Sequence, residues 1–139
     1  MTAVRFHHIC LSVADLAAQE AWYGSAFGLT QVDERLEVPE AGVRAVILSD
    51  AAGLRVQFVE RPGSTPVAYT DPFAAAGAQT FSHLGLQVPD LEAAFARLTG
   101  ECGAAPISSP AAGVAEGMRY AYVADPEGNL LELIETERD

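Results

Sequence analysis

FHHICLSVADLAAQEAWYGSAFG, residues 6–28, recurs 75 positions later as FSHLGLQVPDLEAAFARLTGECG, residues 81–103. The register runs on without a gap to Glu60 and Glu135. Identical pairs include His8/His83, Leu11/Leu86, Asp15/Asp90, Leu16/Leu91, Gly28/Gly103, Gly42/Gly117, Arg44/Arg119, Asp50/Asp125 and Gly53/Gly128. Matches at turns and core positions, held in one register, are the mark of a duplicated supersecondary unit.

Within each copy the apolar period changes from two to about 3.6, which separates strand from helix. His8, Cys10 and Ser12 alternate with Ile9, Leu11 and Val13, so one strand face is apolar and the other carries His8. Asp15 stands where an N-cap belongs, Leu16 to Phe27 has helical composition, and Gly28 is a helix stop. Three strands are expected at about 29–36, 43–50 and 54–60, the last two joined by the turn Asp50-Ala51-Ala52-Gly53. The second copy repeats the pattern, with Asp125-Pro126-Glu127-Gly128 as its turn.

Each copy therefore reads βαβββ. Module 1 covers residues 4–60, the Pro-, Gly- and Ala-rich stretch 61–80 is the linker, and module 2 covers 81–135, all within a single domain over 1–139. The expected class is α+β: two tandem modules forming a curved eight-stranded mixed sheet, helices on the convex side and a cleft on the concave side.

Composition narrows the partners. Nineteen acidic residues against eight basic ones, all arginine, give a net charge of -11, which suits neither the phosphates of nucleic acid nor an anionic membrane. A small-molecule substrate is the expectation. Cys10 and Cys102 show no CxxC spacing, and no apolar run approaches the ~18 residues of a membrane span. The opening MTAVRFHHIC lacks a secretory pattern. A reduced, cytoplasmic setting is the expectation. Four-stranded sheets leave edges that need cover, from which a homodimer is expected.

The repeat also supplies a test for chemistry. His8 maps on His83 and Gln57 on Glu132, each His lying 49 residues before its partner. Val56 and Phe58, like Leu131 and Leu133, belong to the apolar face under the helices, so Gln57 and Glu132 face the other way, as do the histidines. Two imidazoles, a carboxylate and an amide oxygen suit a borderline divalent ion (Ni, Co, Mn, Zn or Fe) and leave positions open for water or substrate. By the same parity Tyr120, Tyr122 and Cys10 are expected to line the cleft as substrate-binding residues, with core packing or small-hydrophobe filling as the alternative.

FHHICLSVADLAAQEAWY, FSHLGLQVPDLEAAFARL and DPEGNLLELIE resemble the paired modules of the vicinal oxygen chelate superfamily. The resemblance covers nearly the whole chain outside the linker. It implies ligands from the first and last strand of each module, carried over to His8, Gln57, His83 and Glu132. The set is similar to those of methylmalonyl-CoA epimerase and glyoxalase I, and so implies a metal-dependent isomerase or lyase that removes a proton beside a carbonyl to give an enolate, with Glu132 as the catalytic base. The epimerase pattern also implies a base near Ala45, which alanine cannot supply. Two alternatives stay within the superfamily. One is an Fe(II) extradiol-type dioxygenase using His8, His83 and Glu132, with Gln57 as a substrate contact; the other is a drug-sequestering resistance protein.

Other residues have plainer expectations. Alternation places His7 on the face opposite His8, as a strand-edge residue. Arg44 and Arg119 are expected to pair with surface acids, and Trp22, Phe27 and Phe95 to pack the helices on the sheets.

Overall fold

A computed structural model describes residues 2–137. The chain divides into two compact units, one up to Pro66 and the other from Val67 onward. In the first, the order is β1 (Ile9–Val13), α1 (Leu16–Phe27), β2 (Gln31–Val38), a 3-10 turn (Pro39–Ala41), β3 (Val43–Ser49) and β4 (Arg55–Glu60). The second adds α2 (Pro72–Ala76) and then β5 (Leu84–Gln87), α3 (Leu91–Gly100), β6 (Ala105–Ala112), β7 (Met118–Ala124) and β8 (Leu130–Thr136). The α+β class and the tandem βαβββ modules are as expected. The strands hydrogen-bond as two four-stranded mixed sheets, ordered β1-β4-β3-β2 and β5-β8-β7-β6.

The duplication is visible in the local chemistry. Asp15 and Asp90 cap their helices by accepting from the backbone N–H of Ala18 and Ala93, at 2.9 and 3.0 Å. Gly28 ends α1 at φ 70°, a left-handed value that a Cβ disfavours. In the hairpin before each last strand, one aspartate oxygen takes two backbone N–H groups: Asp50 those of Ala52 and Leu54, Asp125 those of Glu127 and Asn129.

In each sheet the first strand, at one edge, lies parallel to the last, so the two ends of a module meet side by side. Val46, Leu48, Val56 and Phe58 in one unit, and Ala121, Val123, Leu131 and Leu133 in the other, are buried, with α1 packed on β3 and β4 and α3 on β6, β7 and β8. Tyr23, fully buried 4.8 Å from the Phe58 ring, is the aromatic that seats α1. Trp22, Phe27 and Phe95 are only half-buried, because a helix turn of 3.6 residues rotates Trp22 away from the stripe shared by Leu16, Gln19, Tyr23 and Ala26.

The stretch read as linker carries α2, capped where Asp71 accepts from the N–H of Ala74. β6 holds Pro106 and Pro110, tolerable because it is an edge strand with two register shifts against β7. No helix among the described residues is long and apolar enough to cross a membrane.

Candidate metal centre

Glu132 stands on β8 between Leu131 and Leu133, both fully buried, and its carboxylate leaves the sheet on the face away from α3. Its register partners are Gly85 on β5 and Tyr122 on β7. A Cβ at position 85 would lie 3.6 Å from Ile134 Cδ1 and 3.8 Å from Glu132 Oε2, ordinary van der Waals contacts, so Gly85 lies against that oxygen without crowding it. His83, one residue before β5, brings Nε2 to 2.9 Å from the same oxygen.

That spacing is informative about ligation. Two donor atoms each about 2.1 Å from one cation, at roughly 90°, stand about 3 Å apart. The 2.9 Å between the His83 and Glu132 atoms is a hydrogen-bond distance, and it is also compatible with two neighbouring ligands of one cation. Ser82 Oγ lies 2.6 Å from His83 Nδ1, fixing the ring and leaving Nε2 as the atom turned to the carboxylate. Among the described residues no three His, Cys, Asp or Glu side chains gather into a metal-binding group.

Tyr122 closes one side of this pair. It is buried, its ring stands edge-on to His83 at 5.2 Å, and its hydroxyl is 3.4 Å from Nε2. Burial, then the charge of Glu132 and a hydrogen bond to it, push the phenol up to about 12, so it stays a neutral donor. Tyr120 stacks edge-on against Tyr122 at 5.9 Å. The two tyrosines thus share the face of Glu132, as strand parity predicted.

In the other unit, Gln57 sits on β4 between fully buried Val56 and Phe58, and its register partners are Cys10 on β1 and Ile47 on β3. Cys10 occupies the position of Gly85 in the repeat, and desolvation raises its thiol, which makes it a poor thiolate nucleophile. Ala45, two residues before Ile47, shares that face and offers no acid or base.

His8 also lies one residue before its strand, and here the expectation for His7 fails. His7 Nδ1 is 2.7 Å from His8 Nδ1 and the rings meet edge-on at 5.0 Å, so the side chains are not on opposite faces. Alternation requires a strand backbone, and the strand starts at Ile9. Ser82 and His7 were missed as ring partners. The repeat held the signal, since both precede a candidate ligand at equivalent positions and both can hydrogen-bond.

A family model described as the Glyoxalase/Bleomycin resistance protein/Dioxygenase superfamily matches residues 7–122. The chain belongs to this superfamily, the vicinal oxygen chelate proteins. Similar solved folds include a glyoxalase family protein from Enterococcus faecalis (TM-score 0.77, 20% identity, 94% of this chain and 97% of that one). The fosfomycin resistance protein FosX from Listeria monocytogenes is another (TM-score 0.73, 18% identity, 99% and 97%). The V278E mutant of maize glyoxalase I has TM-score 0.71 and 21% identity over 94% of this chain, which spans only 44% of that protein's length. No curated protein matches the sequence.

Proposed function

We propose that this chain is a divalent-metal-dependent lyase or isomerase of the glyoxalase or epimerase type, acting on a small carbonyl substrate. His8, Gln57, His83 and Glu132 are the donors, and Glu132 is also the base. The observation that carries the reading is the 2.9 Å approach of His83 Nε2 to Glu132 Oε2, a separation that two neighbouring ligands of one cation would also have. Gln57 and His8 are the repeat equivalents of that pair and are the other two proposed donors, an amide oxygen and an imidazole.

A bound divalent ion (Ni, Co, Mn, Zn or Fe) supplies Lewis acidity that makes a C–H bond beside a carbonyl easier to ionise. The rest falls to side chains. Glu132 takes the proton from carbon, as the one carboxylate of the set. Tyr122 donates to Glu132 and holds its orientation, and with Tyr120 forms an aromatic wall against which a substrate packs. Ala45 supplies no second base, which favours a reaction in which one group handles the proton. A homodimer belongs to the same proposal, because each four-stranded sheet has two edge strands that need cover.

Metal analysis of the purified chain, followed by calorimetric titration with Ni, Co, Mn and Zn and an activity screen with and without oxygen, tests the reading. One ion per chain and oxygen-independent turnover are expected. Turnover requiring Fe(II) and consuming oxygen would put the dioxygenase in its place, and failure of every ion to bind would favour drug sequestration. Light scattering at several concentrations decides the dimer.

A further inference from the structure

We propose that His7 and Ser82 are paired positioning residues, each fixing the ring of the ligand histidine that follows it through that histidine's Nδ1. The inference rests on the metal-binding reading above and extends it to two residues outside the donor set. His7 Nδ1 stands 2.7 Å from His8 Nδ1, and Ser82 Oγ 2.6 Å from His83 Nδ1. Positions 7 and 82 are equivalent in the 75-residue repeat, yet one is an imidazole and the other a hydroxyl. Two different side chains therefore meet the same ring atom from the same place in each module.

The chemistry shared by the two groups explains why either serves. With Nε2–H donating to the Glu132 carboxylate, Nδ1 of a neutral His83 accepts from the Ser82 hydroxyl. With a cation on Nε2, Nδ1 carries the proton and donates to Ser82 Oγ. A hydroxyl performs both roles by rotating, and the His7 imidazole performs both by changing tautomer. Alanine or an aliphatic residue at either position performs neither, and a ring without an Nδ1 partner turns about its own bonds and loses its aim. Groups that orient a ligand in this way are typically worth about 10 to 100-fold in metal affinity.

The test is calorimetric titration of the full chain with Ni(II), comparing wild type with Ser82→Ala, His7→Ala, their double variant and Ser82→Thr. Long-range proton–nitrogen NMR of the metal-free protein reads the tautomers of His8 and His83 independently. Each alanine is expected to weaken Ni(II) binding about 10 to 100-fold, with the melting temperature little changed. Ser82→Thr, which keeps the hydroxyl, should restore it. With Glu132 still holding the Nε2–H tautomer, His83 Nδ1 should lose its hydrogen-bonded shift in Ser82→Ala, while His8 keeps its own. Wild-type affinity in both alanine variants, or an unmoved His83 Nδ1 shift, would overturn the inference and leave the metal reading standing. Absence of binding in the wild type itself would overturn both, and that arm is seen before any variant is made.

Discussion

Glu60 Oε2 accepts a hydrogen bond from the backbone N–H of Leu16 at 2.8 Å, and Glu135 does the same for Leu91 at 2.7 Å. Each module thus ties the end of its last strand to the first turn of its helix, satisfying an N–H that the helix cannot and setting a negative charge at its positive end. Glu60 also reaches Arg44 at 2.7 Å. In the second module the equivalent Arg119 pairs instead with Glu92 at 2.6 Å.

Removing either tie should loosen the helix on its sheet. Glu60→Ala and Glu135→Ala are each expected to cost about 1–2 kcal/mol, the range for a hydrogen bond from a helix-terminal N–H to a charged acceptor. Urea unfolding measures this. A loss below a few tenths in both variants would show that water replaces the carboxylate without penalty.

The same residue gives a pH dependence of known sign. The hydrogen bond from Arg44, and next that from Leu16, hold the Glu60 carboxyl below its usual value of 4.5. A depressed carboxyl contributes stability above its unfolded value and loses it as pH falls through the folded one. The stability gap between wild type and Glu60→Gln should therefore be full at pH 7, begin to close as pH falls toward the usual 4.5, and be lost through the lower folded-state value. Thermal melts across that range check it; a gap that widened on acidification would reverse the assignment.

Gln57 and Phe58 are neighbours with opposite duties. Phe58 is fully buried against Tyr23, so Phe58→Ala is expected to cost about 3–5 kcal/mol and to lower the melting temperature by many degrees. Gln57→Ala touches the open face and should stay within about 0.5 kcal/mol in stability, while weakening Ni(II) binding. Equal melting temperatures for the two variants would contradict the facing of β4.

Glu132→Gln removes the one acid of the donor set while keeping its size. Exchange of a substrate C–H proton with deuterated solvent should accompany turnover in the wild type, and the variant should slow it by about 10² to 10⁴-fold. Gln57→Ala should affect exchange far less than binding, since an amide is a poor base. Exchange that persisted in Glu132→Gln would move the base elsewhere.

The sequence alone established the duplication, the βαβββ order, helix α1 from Asp15 cap to Gly28 stop, and the facing of Gln57, Glu132, Tyr120 and Tyr122. These follow from period and parity, which are local properties of a chain. Only the tertiary structure decided what lies next to what. The first strand of each module pairs in parallel with its last, residue partners lying 47 apart, and that pairing sets His83 against Glu132, 49 residues on. Tyr23 displaced Trp22 from the core because helix rotation, not hydrophobicity, chooses the buried stripe. The repeat marks positions 7 and 82 as equivalent, but the directions of His7 and Ser82 were decided by the tertiary structure: they precede the first ladder residue, where alternation no longer dictates direction and the side chain goes where a partner is.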